Sequence, residues 1–89
     1  MVRKEITIAN KLGMHARAAA KFVSLASSFS SHIELEKGHR KVNGKSIMGV
    51  MMLAASKGTT ITLYTDGSDE SEAADRLVQL INDRFGENE

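Results

Sequence analysis

Lys11-Leu12-Gly13-Met14-His15-Ala16-Arg17 stands where the hydrophobic period of the chain changes. Before it, Glu5-Ile6-Thr7-Ile8 alternates polar and apolar residues and reads as a half-buried strand from about Val2 to Ala9. After it, Ala19, Phe22, Val23, Ala26 and Phe29 recur at helical spacing, while Arg17, Lys21, Ser24 and Ser28 share the opposite face. The spacing predicts an amphipathic helix of about three turns, ended by the serine-rich stretch Ser27 to Ser31. The heptapeptide is therefore a strand-to-helix junction, with His15 and Arg17 where the helix begins. A helix start points unpaired N–H groups outward and carries partial positive charge, which suits an anion.

The rest of the chain fits the same alternation of strand and helix. Ile33 and Leu35 alternate with His32, Glu34 and Glu36, predicting a second strand; Lys37-Gly38-His39 turns into a short third strand, Arg40 to Val42. Asn43-Gly44 makes a second turn. Ser46 then has the position of an N-cap before Ile47-Met48-Gly49-Val50-Met51-Met52-Leu53-Ala54-Ala55, with Lys57-Gly58 as the helix stop. That segment is apolar nearly all round, so some of Ile47, Met48, Met51 and Met52 are expected at the surface. Thr59 to Thr65 is the strongest strand pattern, with Ile61 and Leu63 inward. Asp69 and Glu72 suggest a capping box. Ala73, Ala74, Leu77, Val78, Ile81 and Phe85 mark a final helix stopped by Gly86, and Glu87-Asn88-Glu89 reads as a frayed acidic tail. The string β-α-β-β-α-β-α implies a two-layer α/β sandwich, helices on one sheet face and solvent on the other.

Composition narrows the function classes. A 42% hydrophobic, 26% charged chain of 89 residues is an ordinary small domain, and its net charge of +1 offers no global field for nucleic acid or membrane. Its apolar runs are too short to span a bilayer. The absence of cysteine removes disulfides and thiolate metal sites. Neither a cofactor nor a metal is expected. A cytoplasmic location is the expectation, since Met1-Val2-Arg3-Lys4-Glu5 leads straight into a strand pattern.

Among the three histidines, His32 and His39 lie on a polar strand face or turn and show no metal-ligand spacing. His15 occupies an N-cap position that Ser, Thr, Asp or Asn would normally fill. From local logic alone, a functional histidine and an exposed loop histidine both remain open there. The physical case for function is that imidazole is neutral and nucleophilic near pH 7, while a guanidinium and a helix start would hold an attached phosphoryl group. Gly44-Lys45-Ser46 echoes the end of a phosphate-binding P-loop, but the glycine required five positions earlier is His39. Nucleotide binding is not expected there.

Lys11-Leu12-Gly13-Met14-His15-Ala16-Arg17 resembles the active-site signature of the HPr family, the histidine-containing phosphocarriers of the bacterial sugar phosphotransferase system. Lys41-Val42-Asn43-Gly44-Lys45-Ser46-Ile47-Met48-Gly49-Val50-Met51 resembles the family's second signature, around a regulatory serine. Ala54-Ala55-Ser56-Lys57-Gly58 and the strand after it also fit, so the resemblance spans essentially the whole chain, residues 1–89 as a single HPr-like domain. It implies an open-faced β-sandwich with antiparallel strands in order 1-4-2-3 and three helices on one face. His15 would accept a phosphoryl group on Nδ1 from phosphorylated enzyme I, itself charged by phosphoenolpyruvate, and pass it to an enzyme IIA domain. Arg17 would hold the phosphate, with the backbone of Ala16 and Arg17 in contact with it.

Ser46 would be the substrate of an HPr kinase/phosphorylase as well as an N-cap. Ala20, Ser24, Ile47, Met48 and Met51 would dock partners, and the adaptable methionines suit a surface that meets several. One departure stands out: Ala18 occupies the position where the family usually has proline. Proline in a first turn mainly pre-sets φ and lacks a donor that would be unpaired anyway, so transfer is expected to survive the change.

Two other classes compete. The same string of elements occurs in ferredoxin-like modules that bind RNA, but their stacking aromatics are missing: Phe22, Phe29 and Phe85 fall at helix-core positions, leaving Tyr64 on a strand. A regulatory paralogue without an active histidine is opposed by His15. Within the carrier class, a nitrogen-related regulatory branch competes with sugar transport, and the Ser46 segment favours the latter. A monomer is expected, because a carrier presents one face to successive partners.

Overall fold

A computed structural model describes residues 1–88. The chain runs through β1 (Val2–Thr7), α1 (Ala16–Ser27), β2 (His32–Lys37), β3 (Arg40–Asn43), α2 (Ile47–Met52), β4 (Thr60–Asp66) and α3 (Glu70–Asn82), then a 3-10 turn at Arg84–Gly86. The strands pair antiparallel in the order β1-β4-β2-β3, as expected. Register follows from strand alternation. Ile6 faces Ile61 across β1 and β4, and Leu35 faces Leu63 across β2 and β4. All four are buried, together with Ile33, beneath the helices. The opposite sheet face is polar: the Tyr64 hydroxyl donates to Glu36 at 2.7 Å, and the Lys41 ammonium lies 4.4 Å from the Tyr64 ring centre.

Small residues let the helices approach the sheet closely. Ala18, Ala19 and Ala26 of α1 and Ala73 and Ala74 of α3 are buried, and Phe22, Leu77 and Ile81 fill the space between. Each large apolar side chain taken out of water contributes about 1.5–3 kcal/mol. α2 behaves as its all-round pattern predicts: Val50 is fully buried, whereas Ile47, Met48, Met51 and Met52 are 46%, 74%, 42% and 58% exposed.

Three local expectations need correction. First, Lys57-Gly58 does not end α2, which stops at Met52 and leaves through Ala54 in a left-handed conformation, φ 54°. Cations from the β2–β3 hairpin meet the emerging carbonyls instead: Arg40 donates to Met52 O at 2.9 Å and Lys37 to Ala54 O at 3.0 Å. Lys57 and Gly58 belong to the turn into β4.

Second, no capping box forms at α3, because the Asp69 side chain bonds elsewhere. Its carboxylate accepts from Ser30 N and Ser31 N, both at 2.9 Å, and from the Ser31 hydroxyl, so it ties the start of α3 to the α1–β2 loop. The Ser31 hydroxyl above all, then the Ser30 N–H, hold the Asp69 carboxyl below its ordinary value of 3.8. Folding therefore favours the carboxylate. The stability it contributes is present above the ordinary carboxylate range and is lost as pH falls through the depressed value. Asp69→Asn is expected to lower the urea midpoint at about pH 7, with the gap from wild type narrowing in acid. A gap that stays constant with pH would refute this account.

Third, α3 ends at Asn82, and Phe85 is not part of it. Arg84 and Phe85 take φ of 57° and 55°, so the chain turns back on itself. Left-handed backbone at such residues costs roughly 1–2 kcal/mol each. Burial of the Phe85 ring and a 2.7 Å bond from the Lys21 ammonium to Phe85 O hold the turn in place. Phe85 is four residues after Ile81, so it points to the core at helical spacing although the chain reaches it by a different path.

Candidate functional site

The β1–α1 loop is fixed before the helix starts. Gly13 takes φ 66°, its N–H bonds to Asn10 O at 3.2 Å, and the next N–H, of Met14, bonds to Ala55 O at 2.8 Å. Met14 buries its side chain, and the fully buried Asn10 donates through Nδ2 to Gly13 O at 2.8 Å. The loop is thus stapled to the segment that follows α2, and His15 is delivered to the N-cap of α1.

His15 caps with its ring. In extended backbone, φ −75° and ψ −179°, its Nδ1 accepts from the Arg17 N–H at 3.3 Å. A nitrogen that accepts a hydrogen bond carries a lone pair rather than a proton. The other ring nitrogen, Nε2, is 2.6 Å from a Glu87 carboxylate oxygen. Burial opposes ionisation of Glu87, yet hydrogen bonds from Asn10 and His15, with the charge of Lys21, hold its carboxyl below the usual carboxylate range. An ionised carboxylate can only accept, so Nε2 is the N–H nitrogen. The proton is thus placed on the edge away from α1, and Nδ1 turns its lone pair toward the helix start.

Around this ring, Lys11, Leu12, Ala16, Arg17 and Glu87 line an open cleft. Arg17 is exposed, and its guanidinium meets no acceptor among the described residues. Nor does any hydrogen bond engage the first-turn N–H groups of Ala16 and Ala18 among those residues. Ala18, at the position where the family usually has proline, is fully buried. The arrangement offers a nucleophilic nitrogen, a cation and unpaired N–H donors to one anion.

The remaining candidates fall on adjoining surface. Ala20 and Ser24 are exposed on α1 in a shallow groove that begins at Arg17. Ile47, Met48, Met51 and Met52 form an apolar patch on α2. A depression lined by Leu12, Met14 and His15 on one side and Ala54, Ala55 and Ser56 on the other joins the histidine loop to the exit of α2. Ser46 lies at the other end of α2, where its hydroxyl accepts from Gly49 N at 3.1 Å, an N-cap as expected. His15 and Ser46 therefore do not share a site. His32 and His39 are exposed, with His32 Nε2 3.6 Å from Glu34.

Sequence reasoning missed Asn10 and Glu87. Glu87 was expected in a frayed tail, but its side chain is 16% exposed and joins Asn10 and His15; Glu89 lies outside the described residues. No local signal marked Glu87, because its position depends on the left-handed turn at Arg84 and Phe85. No helix among the described residues is long and apolar enough to cross a membrane.

The chain matches the family described as PTS HPr component phosphorylation site over residues 2–83. It is 56% identical over 89 residues to the phosphocarrier protein HPr of Cupriavidus necator, and 57% identical over 89 residues to that of Neisseria meningitidis serogroup A, with 100% of each chain covered in both cases. The crystal structure of HPr-C-His from Thermoanaerobacter tengcongensis superposes with a TM-score of 0.96 at 52% identity, covering 100% of both chains. Fold and relatives together define a phosphoryl carrier of the phosphotransferase system. The chain belongs to the HPr family. Its partners are in general those of that system, and the ferredoxin-like binding module is not favoured.

Proposed function

We propose that His15 is the residue that carries the phosphoryl group, with Nδ1 as its nucleophile. The observation that carries this reading is the Nδ1 contact with the Arg17 N–H at the start of α1. The Nδ1 lone pair attacks phosphorus on phosphorylated enzyme I. An N–P bond forms, and the bond to the enzyme I residue breaks with its electron pair leaving on that residue. The N–H groups of Ala16 and Arg17 and the Arg17 guanidinium then face the phosphoryl oxygens. Transfer to an enzyme IIA domain repeats the exchange in the opposite sense. Incubation with enzyme I and phosphoenolpyruvate is expected to raise the intact mass by one phosphate, about 80 Da, in an acid-labile form. Absence of that gain would defeat the reading.

The groove at Ala20 and Ser24 and the apolar patch of Ile47, Met48 and Met51 are the docking surface in this reading. The groove shares Arg17 with the cleft around His15, and the patch is exposed apolar surface on the helix whose exit borders the histidine loop, which supports it. The carrier acts as a monomer in the cytoplasm and serves sugar uptake rather than a nitrogen-related branch, a preference that rests on the Ser46 segment. The whole of residues 1–89 works as one carrier domain.

Ser46 is a target for an HPr kinase/phosphorylase. A phosphate at a helix start suits the helix dipole and leaves α2 intact, while placing negative charge beside the apolar patch. Acidic partner surfaces are then repelled. Ser46→Asp is expected to slow phosphorylation by enzyme I about tenfold with an unchanged circular dichroism spectrum. An unchanged rate would remove Ser46 from regulation.

A further inference from the structure

We propose that Glu87 is a positioning residue for phosphoryl transfer, holding the His15 imidazole with its proton on Nε2 and its Nδ1 lone pair toward the first turn of α1. The proposal rests on the reading of His15 as the phosphoryl acceptor and adds to it a group that no motif contains.

The geometry assigns each oxygen of the carboxylate its own donor. Oε2 is 2.6 Å from His15 Nε2, and Oε1 accepts from Asn10 Nδ2 at 3.0 Å. The same Asn10 nitrogen donates to Gly13 O at 2.8 Å, so its amide orientation is set by two acceptors. Asn10 is fully buried and belongs to the loop that delivers His15. The carboxylate is held from its own side by the buried Phe85 and by the Lys21 bond to Phe85 O. Both partners are sheltered, with side-chain exposures of 27% for His15 and 16% for Glu87. A charge-assisted bond in such a place is stronger than one in open solvent.

The chemical consequence follows from the two edges of the ring. When Nδ1 forms the N–P bond and the donor's bond breaks with its electron pair, the Nε2 proton stays where it is. The ring then carries positive charge next to Glu87, on the edge opposite the phosphoryl oxygens. Glu87 thus stabilises the charged ring without facing the phosphate, and no proton has to move during transfer.

The test uses the full chain with a substitution of equal size. Glu87→Gln replaces one oxygen by an amide that donates, so either a donor faces Asn10 or His15 Nε2–H, or the ring shifts its proton to Nδ1 and loses the nucleophilic lone pair there. The hydrogen-bonded Nε2–H of His15 is expected as a downfield, slowly exchanging proton resonance in wild type, lost in both Glu87→Gln and Glu87→Ala. Phosphorylation by enzyme I is expected to fall about tenfold to a hundredfold, in kcat more than in KM, by analogy with the loss of a carboxylate that orients a metal-bound imidazole. Backbone amide resonances outside the loop should stay in place. If wild type accepts phosphate on His15 while both variants keep the Nε2–H resonance and the rate, the positioning role is overturned alone. If wild type accepts no phosphate on His15, the acceptor reading falls and takes this role with it.

Discussion

His15→Ala is expected to abolish phosphoryl uptake from enzyme I and to leave the fold standing. The two halves of that result have separate physical origins. On the proposed mechanism, uptake requires a lone pair at the start of α1. Within the described residues the cleft that Arg17 faces holds no second imidazole, because His32 and His39 lie in the β2–β3 hairpin region. Stability, by contrast, depends little on the ring. Its capping bond to Arg17 N is long, 3.3 Å, and loss of a side-chain cap costs about 0.5–2 kcal/mol, with a weak bond at the low end. Glu87 keeps its bond from Asn10 when the ring is gone. The melting temperature is therefore expected to fall by no more than about 4–8 °C for each kcal/mol lost in a domain of this size. Intact mass spectrometry and a thermal melt on the same preparation check both halves. A phosphate gain retained in His15→Ala would transfer the carrier role to another residue, and an unfolded variant would show that the ring is structural.

The strand and helix periods, the turn residues and the two motifs made most of the architecture legible before any coordinates. The exposed methionines are an instance: an all-round apolar stretch too short to be wrapped on every side had to leave some of them in water, and four large residues of α2 do so. What escaped the sequence was whatever depends on pairing between distant segments. Asp69 reads as a cap for its own helix, but three donors of the α1–β2 loop compete for its carboxylate and win. Lys57 reads as a cation at a helix end, but the hairpin supplies Lys37 and Arg40 to the same carbonyls. Glu87 reads as a solvated tail residue until the burial of Phe85 pulls the chain back across His15. Periodicity reports which side chains face a core; it does not report which polar groups from other elements arrive at the same place.

Gly13→Ala is expected to be severely damaging, costing about 2–5 kcal/mol and impairing transfer together with stability. Two terms add. At φ 66° an alanine meets the left-handed penalty of roughly 1–2 kcal/mol. The added Cβ would also lie 2.6 Å from Ala55 O and 2.8 Å from Ser56 Cα, both backbone atoms that cannot swing aside. Overpacking of that kind costs typically about 1–3 kcal/mol. Relief requires the loop to lift from the segment after α2, which breaks the Met14 N–H bond to Ala55 O and the Asn10 bond to Gly13 O. Those are the bonds that set the approach of His15 to α1, so the nucleophile moves when the strain is relieved. Gly38 supplies the control. Its φ of 61° is nearly the same, but an added Cβ there meets nothing within 4 Å. Gly38→Ala should show the backbone penalty alone, about 1–2 kcal/mol, with phosphorylation unchanged. Urea unfolding of the two variants, with phosphorylation rates measured under folding conditions, separates the terms. Equal costs at the two glycines would mean that the contact with Ala55 and Ser56 yields easily. A Gly13 variant that unfolds early yet transfers at the wild-type rate would uncouple the loop staple from the placement of His15.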